Sequence, residues 1–197
     1  MSYEQAIENA RKRIANAHKA TKGQINDRVF RGHSRSISTD IEDSIALLIY
    51  DIVPSDYYLI LDPSIYIGKQ NHRPDLLIVN SNDEVVGLVE IKANMGWCRD
   101  ATQVLSSLKE EDDLFKESKY LKCKLSSDST KEVVYPDNVA LFLVALTSEN
   151  GGGEAKIAAN MEFAKSLNIK HFILFNGWYY ELENRGAEAF AEDIAKL

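Results

Sequence analysis

Asp75, Glu90 and Lys92 are the residues of this chain whose types and spacing could do chemistry together. They lie in Arg73-Pro74-Asp75-Leu76-Leu77-Ile78-Val79 and in Val85-Val86-Gly87-Leu88-Val89-Glu90-Ile91-Lys92. Between these apolar runs stands Asn80-Ser81-Asn82-Asp83, which is turn chemistry. A two-residue turn at Asn82-Asp83 pairs the runs antiparallel, with Val79 facing Val86, Leu77 facing Leu88 and Asp75 facing Glu90. Directly opposed Cβ atoms lie about 4.5–5.5 Å apart, so two carboxylates meet at one end of an apolar ribbon. Side chains alternate along a strand, so Glu90 and Lys92 share a face while Ile91 points to the other. Opposed like charges are destabilising, and such a pair calls for a cation. A hard dication such as Mg²⁺ fits, held by one or two carboxylates and a substrate phosphate. Lys92 alone could also compensate, in an ion-paired strand end with no catalysis.

The elements around this hairpin can be read from periodicity. Residues 3–20 form a helix with Ala6, Ile7, Ala10, Ile14 and Ala17 on one face. Residues 21–36 are polar and basic, a loop or arm. Ser38 or Thr39 caps a second helix running to about residue 53, whose Ile41, Ile45, Leu48, Ile49 and Ile52 cover a broad face, and Pro54 ends it. Residues 57–61 and 65–67 make one strand interrupted at Asp62-Pro63. Residues 76–79 and 85–91 are the next two. Residues 97–119 form a long, charged helix, and 120–137 are a loop or a substrate-touching insertion. Residues 139–146, a near-continuous apolar run, suit a buried central strand. A helix over 154–167 follows, then a hairpin of 172–175 and 178–182 around Asn176-Gly177, and a last helix over 187–197. Three strands in series make an antiparallel meander, whereas the later strand–helix–strand unit demands a parallel crossover. The expected class is α/β, a central mixed sheet flanked by helices.

Pro74-Asp75, a strand hairpin and then Glu90-Ile91-Lys92 resemble the PD-(D/E)XK nuclease superfamily, and the helix–meander–helix–strand order is similar to the family core over residues 37–182. Residues 1–36 and 120–137 fall outside the resemblance. It implies a restriction-endonuclease-like core and Mg²⁺-dependent phosphodiester hydrolysis. Asp75 and Glu90 would ligate the metal, with the Ile91 backbone carbonyl as a further ligand. Lys92 would orient or activate the attacking water. Many members add an acid from the first core helix; Glu42 is the expected one here, with Asp40 and Asp43 as rivals and an ordinary first-turn acid as the alternative. Gln103 lies on the helix after the motif, where some members place a polar active-site residue. The expected activity is a metal-dependent deoxyribonuclease, type II restriction-like or serving phage or bacterial defence. Homodimerisation is expected because two-fold symmetric subunits suit cleavage of two strands. The alternatives are a junction-resolving or repair nuclease of the same fold, a non-catalytic nucleic-acid-binding module, or a small-molecule domain using Gly151-Gly152-Gly153.

Composition agrees with a folded domain: 197 residues, 45% hydrophobic and 27% charged, with net charge −7. The charge is unevenly spread. Residues 1–36 hold eight Arg/Lys against three acids, a basic helix and arm preceding an acidic domain over 37–197. Such an arm suggests a polyanionic partner, DNA, with Arg28, Arg31, Arg35 and the motif-flanking Arg73 as phosphate contacts. The alternative is a solvated helix face. Cys98 and Cys123 show no ligand or disulfide spacing. No stretch is apolar enough to span a bilayer, so a cytoplasmic setting without membrane contact is expected. His18, His33, His72 and His171 show no triad or ligand spacing; His72 and His33 could touch phosphate but better suit surface or structural roles, and Trp97, which could stack a base or cap the helix behind Lys92, better suits packing.

Overall fold

The computed structural model describes residues 1–21, 24–26, 29–30, 38–94, 101–125, 129–148, 153–177 and 182–197. In chain order these residues form α1 (Tyr3–Thr21), β1 (Gln24–Asn26), β2 (Val29–Phe30), α2 (Ser38–Tyr50), β3 (Tyr58–Leu61), β4 (Ser64–Ile67), β5 (Gln70–His72), β6 (Leu76–Val79) and β7 (Val85–Asn94). Then come α3 (Ala101–Ser118), β8 (Tyr120–Lys124), β9 (Thr130–Val134), β10 (Ala140–Thr147), α4 (Glu154–Ser166), β11 (Ile169–Asn176), β12 (Glu183–Asn184) and α5 (Ala187–Ile194).

The main sheet has six strands in the order β12-β11-β10-β7-β6-β3. β3, β6 and β7 run antiparallel as a meander, while β7, β10 and β11 run parallel. The mixed sheet expected from the element order is therefore present. β10 sits between two parallel neighbours and is buried from Leu141 to Thr147, which is why its sequence is continuously apolar.

Alternation along the strands divides the core in two. Leu76, Ile78, Val89, Ile91, Phe142 and Val144 face one side and pack with α1, α2 and α5. Leu77, Val79, Leu88, Leu141 and Leu143 face the other, against Leu105, Leu108 and Phe115 of α3 and a second sheet. Ala6, Ile7, Ala10 and Ile14 of α1 are buried in the first of these layers, so the basic helix is also a core helix.

The second sheet, in the order β5-β4-β8-β9, corrects several expectations. Residues 65–67 do not continue the 57–61 strand. At Asp62, whose φ is 46°, the chain turns a corner and enters the other sheet, where Ile65 pairs with Cys123. Residues 120–137 are not a loop: β8 and β9 form a hairpin whose buried Leu121, Cys123 and Val133 face the core. Part of 21–36 forms the short β1–β2 pair. The hairpin expected around Asn176-Gly177 is wider. Asn176 pairs with Glu183 and Phe175 with Asn184, so the return strand is β12. Residues 178–181, within the strand expected over 178–182, lie outside the described residues.

Candidate active site

The β6–β7 register brings the motif together. Leu76 pairs with Val89, Leu77 with Leu88 and Ile78 with Gly87, and the same register carried one residue further sets Asp75 opposite Glu90. The turn differs from the expected two-residue one. Asn80 N–H donates to Glu84 O at 2.9 Å and Asp83 N–H to Asn80 O at 3.1 Å, leaving a loop of Ser81, Asn82 and Asp83 with Asp83 at φ 59°. A left-handed residue closing a three-residue hairpin is the usual solution. Val79 consequently faces Val85 instead of Val86, and a bulge between Ile78 and Val79 absorbs the extra residue before the site is reached. Asp75, Glu90 and Lys92 alternate with the α2-facing residues and so share the sheet face turned to α3.

The three side chains are mostly enclosed, with exposures of 24%, 23% and 28%. Ile91 N–H donates to Asp75 Oδ2 at 2.6 Å. A strand residue's N–H and C=O point to the same edge, so the Ile91 carbonyl projects on the Asp75 side as well. Lys92 Nζ lies 3.9 Å from Asp75 Oδ2 and contacts Glu90 Oε1 directly. Burial pushes the Asp75 carboxyl up to about 7, reinforced by the Glu90 charge; the Ile91 amide and the Lys92 ammonium only partly oppose this. Among the described residues Asp75 and Glu90 are thus two carboxylates facing one ammonium. Glu42 joins this centre electrostatically: its carboxyl is raised by burial and by Asp62, Asp43 and Glu90, and lowered by Lys92. Of the rivals, Asp43 is exposed, and Asp40 uses its backbone carbonyl to accept the Ser44 hydroxyl at 2.6 Å.

Glu90 and Lys92 open into a cavity of about 630 Å³, whose other wall is α3 with Gln103, Ser107 and Glu111. β5 contributes His72, whose Nδ1 lies 3.5 Å from Glu111 Oε1. Sequence reasoning placed Gln103 near the site but missed Glu111, and for His72 it weighed a phosphate contact and preferred a surface or structural role. The available signal was the spacing of Leu108, Glu111 and Phe115, which sets Glu111 on the inward face of α3.

The expected phosphate contacts are not gathered here. Arg28, Arg31 and Arg35 lie outside the described residues, as do His33, Trp97, Cys98, Gly151 and Gly152. Arg73 is exposed and paired with Asp62 at 2.6 Å. Arg11 and Lys12 pair with Glu8, and Arg13 donates to the Ser44 carbonyl at 3.5 Å. Cys123 is buried, which raises its thiol to about 11. Among the described residues no helix is long and apolar enough to cross a membrane.

No family model matches the chain, and no curated protein matches it. Among solved structures, NucC of P. aeruginosa ATCC27853, in its cAAA-bound form, is similar with a TM-score of 0.52 and 12% identity, over 98% of this chain and 88% of that one. The likeness is one of fold. The shared fold is an α/β core, a central mixed sheet flanked by helices. Among the described residues no three His, Cys, Asp or Glu side chains form a ready metal cage. The donor set still suits Mg²⁺, which is held through one or two carboxylates and waters, and which would offset the Glu90 charge that adds to burial in raising Asp75.

Proposed function

We propose that this protein is a Mg²⁺-dependent endonuclease hydrolysing DNA phosphodiester bonds, restriction-like or serving phage or bacterial defence. One observation carries it: Asp75 and Glu90 on one face at the end of the β6–β7 ribbon, with the Lys92 ammonium against both. The restriction-endonuclease-like core supports it, because such a centre then sits at the heart of a fold that suits it.

Asp75, Glu90 and the Ile91 carbonyl would hold the cation, and Glu42 stands within electrostatic reach. When bound, the cation supplies the charge that polarises the phosphate and acidifies a water. The Ile91 amide pins one Asp75 oxygen, so the carboxylate is oriented before substrate arrives. Lys92, a compact charge on a flexible stem, leaves its carboxylate contacts for the attacking water and the phosphate oxygens. Its ammonium then stabilises charge that develops in the transition state. The basic N-terminal residues and Arg73 would contact phosphates, and a homodimer would cut both strands. The test is plasmid DNA incubated with Mg²⁺ or with EDTA. Cleavage with Mg²⁺ alone, lost in Asp75→Asn, is the expected result; an Asp75→Asn protein that cuts normally refutes it.

A further inference from the structure

The pair formed by His72 and Glu111 has no part in the chemistry above, yet it lines the same cavity. The floor carries Glu90 and Lys92 from β7, and the opposite wall carries Glu111 from α3. A phosphate seated over Lys92 therefore shares this cavity with Glu111. Building on the nuclease reading, we propose that Glu111 is the acid that protonates the departing oxygen of the cleaved phosphodiester, and that His72 is the residue positioning it.

The carboxyl is largely enclosed and has a close neighbour. Glu111 and His72 side chains are 18% and 19% exposed, with His72 Nδ1 3.5 Å from Glu111 Oε1. The imidazole is itself fixed edge-on to Phe115, with centroids 5.9 Å apart, and its Nε2 is buried without a partner. That leaves Nδ1 as the nitrogen turned to Glu111. The neighbouring charges are accounted for. Asp112, next on the helix and fully buried, is satisfied by Lys109, Lys116 and the Tyr135 hydroxyl. Glu110 precedes Glu111 on α3, Glu90 and Lys92 line the same cavity, and the Asp75 charge also reaches it. Burial raises the Glu111 carboxyl to about 7, and the Glu90 and Asp75 charges add to this. Burial is the largest cause, so a cation offsetting those two charges leaves the carboxyl still raised above its ordinary range.

The step balances. A water oxygen bonds to phosphorus. The bond from phosphorus to the bridging oxygen breaks with its electron pair on that oxygen, which takes the Glu111 proton. The water's displaced proton leaves to solvent, and the Glu111 carboxylate is reprotonated from solvent between turnovers.

The test compares two duplexes in single-turnover cleavage with Mg²⁺. One is ordinary DNA; the other carries sulfur in place of the leaving bridging oxygen at the bond the wild type cuts. A thiolate departs without a proton. Glu111→Gln should slow the oxygen substrate by about 10²–10⁴-fold and the sulfur substrate by less than about threefold. His72→Asn should show the same selectivity at about tenfold, and Glu111→Asp should restore part of the oxygen rate. Thermal melting of each variant verifies that it folds, and His72→Asn carries the comparison should Glu111→Gln unfold. Equal slowing of both substrates, or no slowing of either, overturns the assignment while leaving the nuclease reading intact. A wild type that cuts neither duplex overturns that reading and this inference with it.

Discussion

Replacing Asp75 by Asn separates a ligand from a structural ion-pair partner. The carboxyl is raised from 3.8 to about 7, so the folded protein favours its protonated form. Stability from such a group is full below about pH 4 and is lost as the pH rises through about 7. At pH 8 the wild type bears the whole penalty. About three pKa units at 1.36 kcal/mol each bound it at about 4 kcal/mol. The realised gain is smaller, because the new amide loses the Lys92 attraction and must keep the Ile91 hydrogen bond. A gain of about 1–2 kcal/mol corresponds to a melting point higher by about 2–8 °C in a chain of this length. Metal-free thermal unfolding at pH 8 should therefore show Asp75→Asn melting above the wild type, with the gap closing toward pH 4. Mg²⁺ should raise the wild-type melting point and barely move the variant's. Cleavage should be abolished, with excess Mg²⁺ or Mn²⁺ restoring a part. A variant that melts below wild type in metal-free buffer at pH 8 refutes the argument, since Asp75 would then be a structural partner of Lys92 and Ile91.

Lys92→Ala should also abolish cleavage, but no concentration of metal should rescue it, and calorimetric Mg²⁺ affinity should be unchanged or slightly tighter; restored turnover at high Mg²⁺ would falsify its assigned role. Neutralising Arg11, Lys12 and Arg13 by Gln should weaken DNA binding and lower the log–log salt slope by roughly 0.9 for each phosphate no longer neutralised. Substitution is the right perturbation, because deleting the helix would strip Ala6, Ile7, Ala10 and Ile14 from the core. Cys123 should resist thiol reagents in the folded protein and react on unfolding, given its burial and raised thiol, and Ser in its place should leave cleavage near wild type.

The hairpin that carries the motif was legible because its two apolar runs admit one register that buries Leu77 and Leu88 together, and that register delivers Asp75 to Glu90. The bulge was not legible: it depends on Asp83 taking a left-handed conformation that Asn82-Asp83 does not announce. The second sheet escaped for another reason. Gln70 and Asn71 are exposed and polar, and β8 alternates only Leu121 and Cys123 inward over five residues, too short a pattern to separate from a loop. Glu111 was hidden among Glu110, Asp112 and Asp113. Which of these acids is buried depends on Tyr135, 23 residues beyond Asp112, and on His72 in another strand, contacts that no local pattern records.

The second sheet's edge has a consequence for how such a molecule can be altered. β3 and β6 are hydrogen-bonded neighbours, yet β4 and β5 are spliced between them. The splice is cinched at its base, where Asp62 N–H donates to Asp75 O at 2.9 Å and Arg73 grips the Asp62 carboxylate. Residues 63–74 thus leave and rejoin a single ribbon at adjacent points, as a cassette plugged into a frame. Doubling the length of such an excursion adds only about 0.6 kcal/mol of closure entropy. The frame holds Asp75, Glu90 and Lys92, while the cassette supplies His72 and Gln70 to the cavity wall. What lines the pocket can therefore drift through the exposed end of the cassette, at Gln70 and Asn71, without moving Asp75, Glu90 or Lys92.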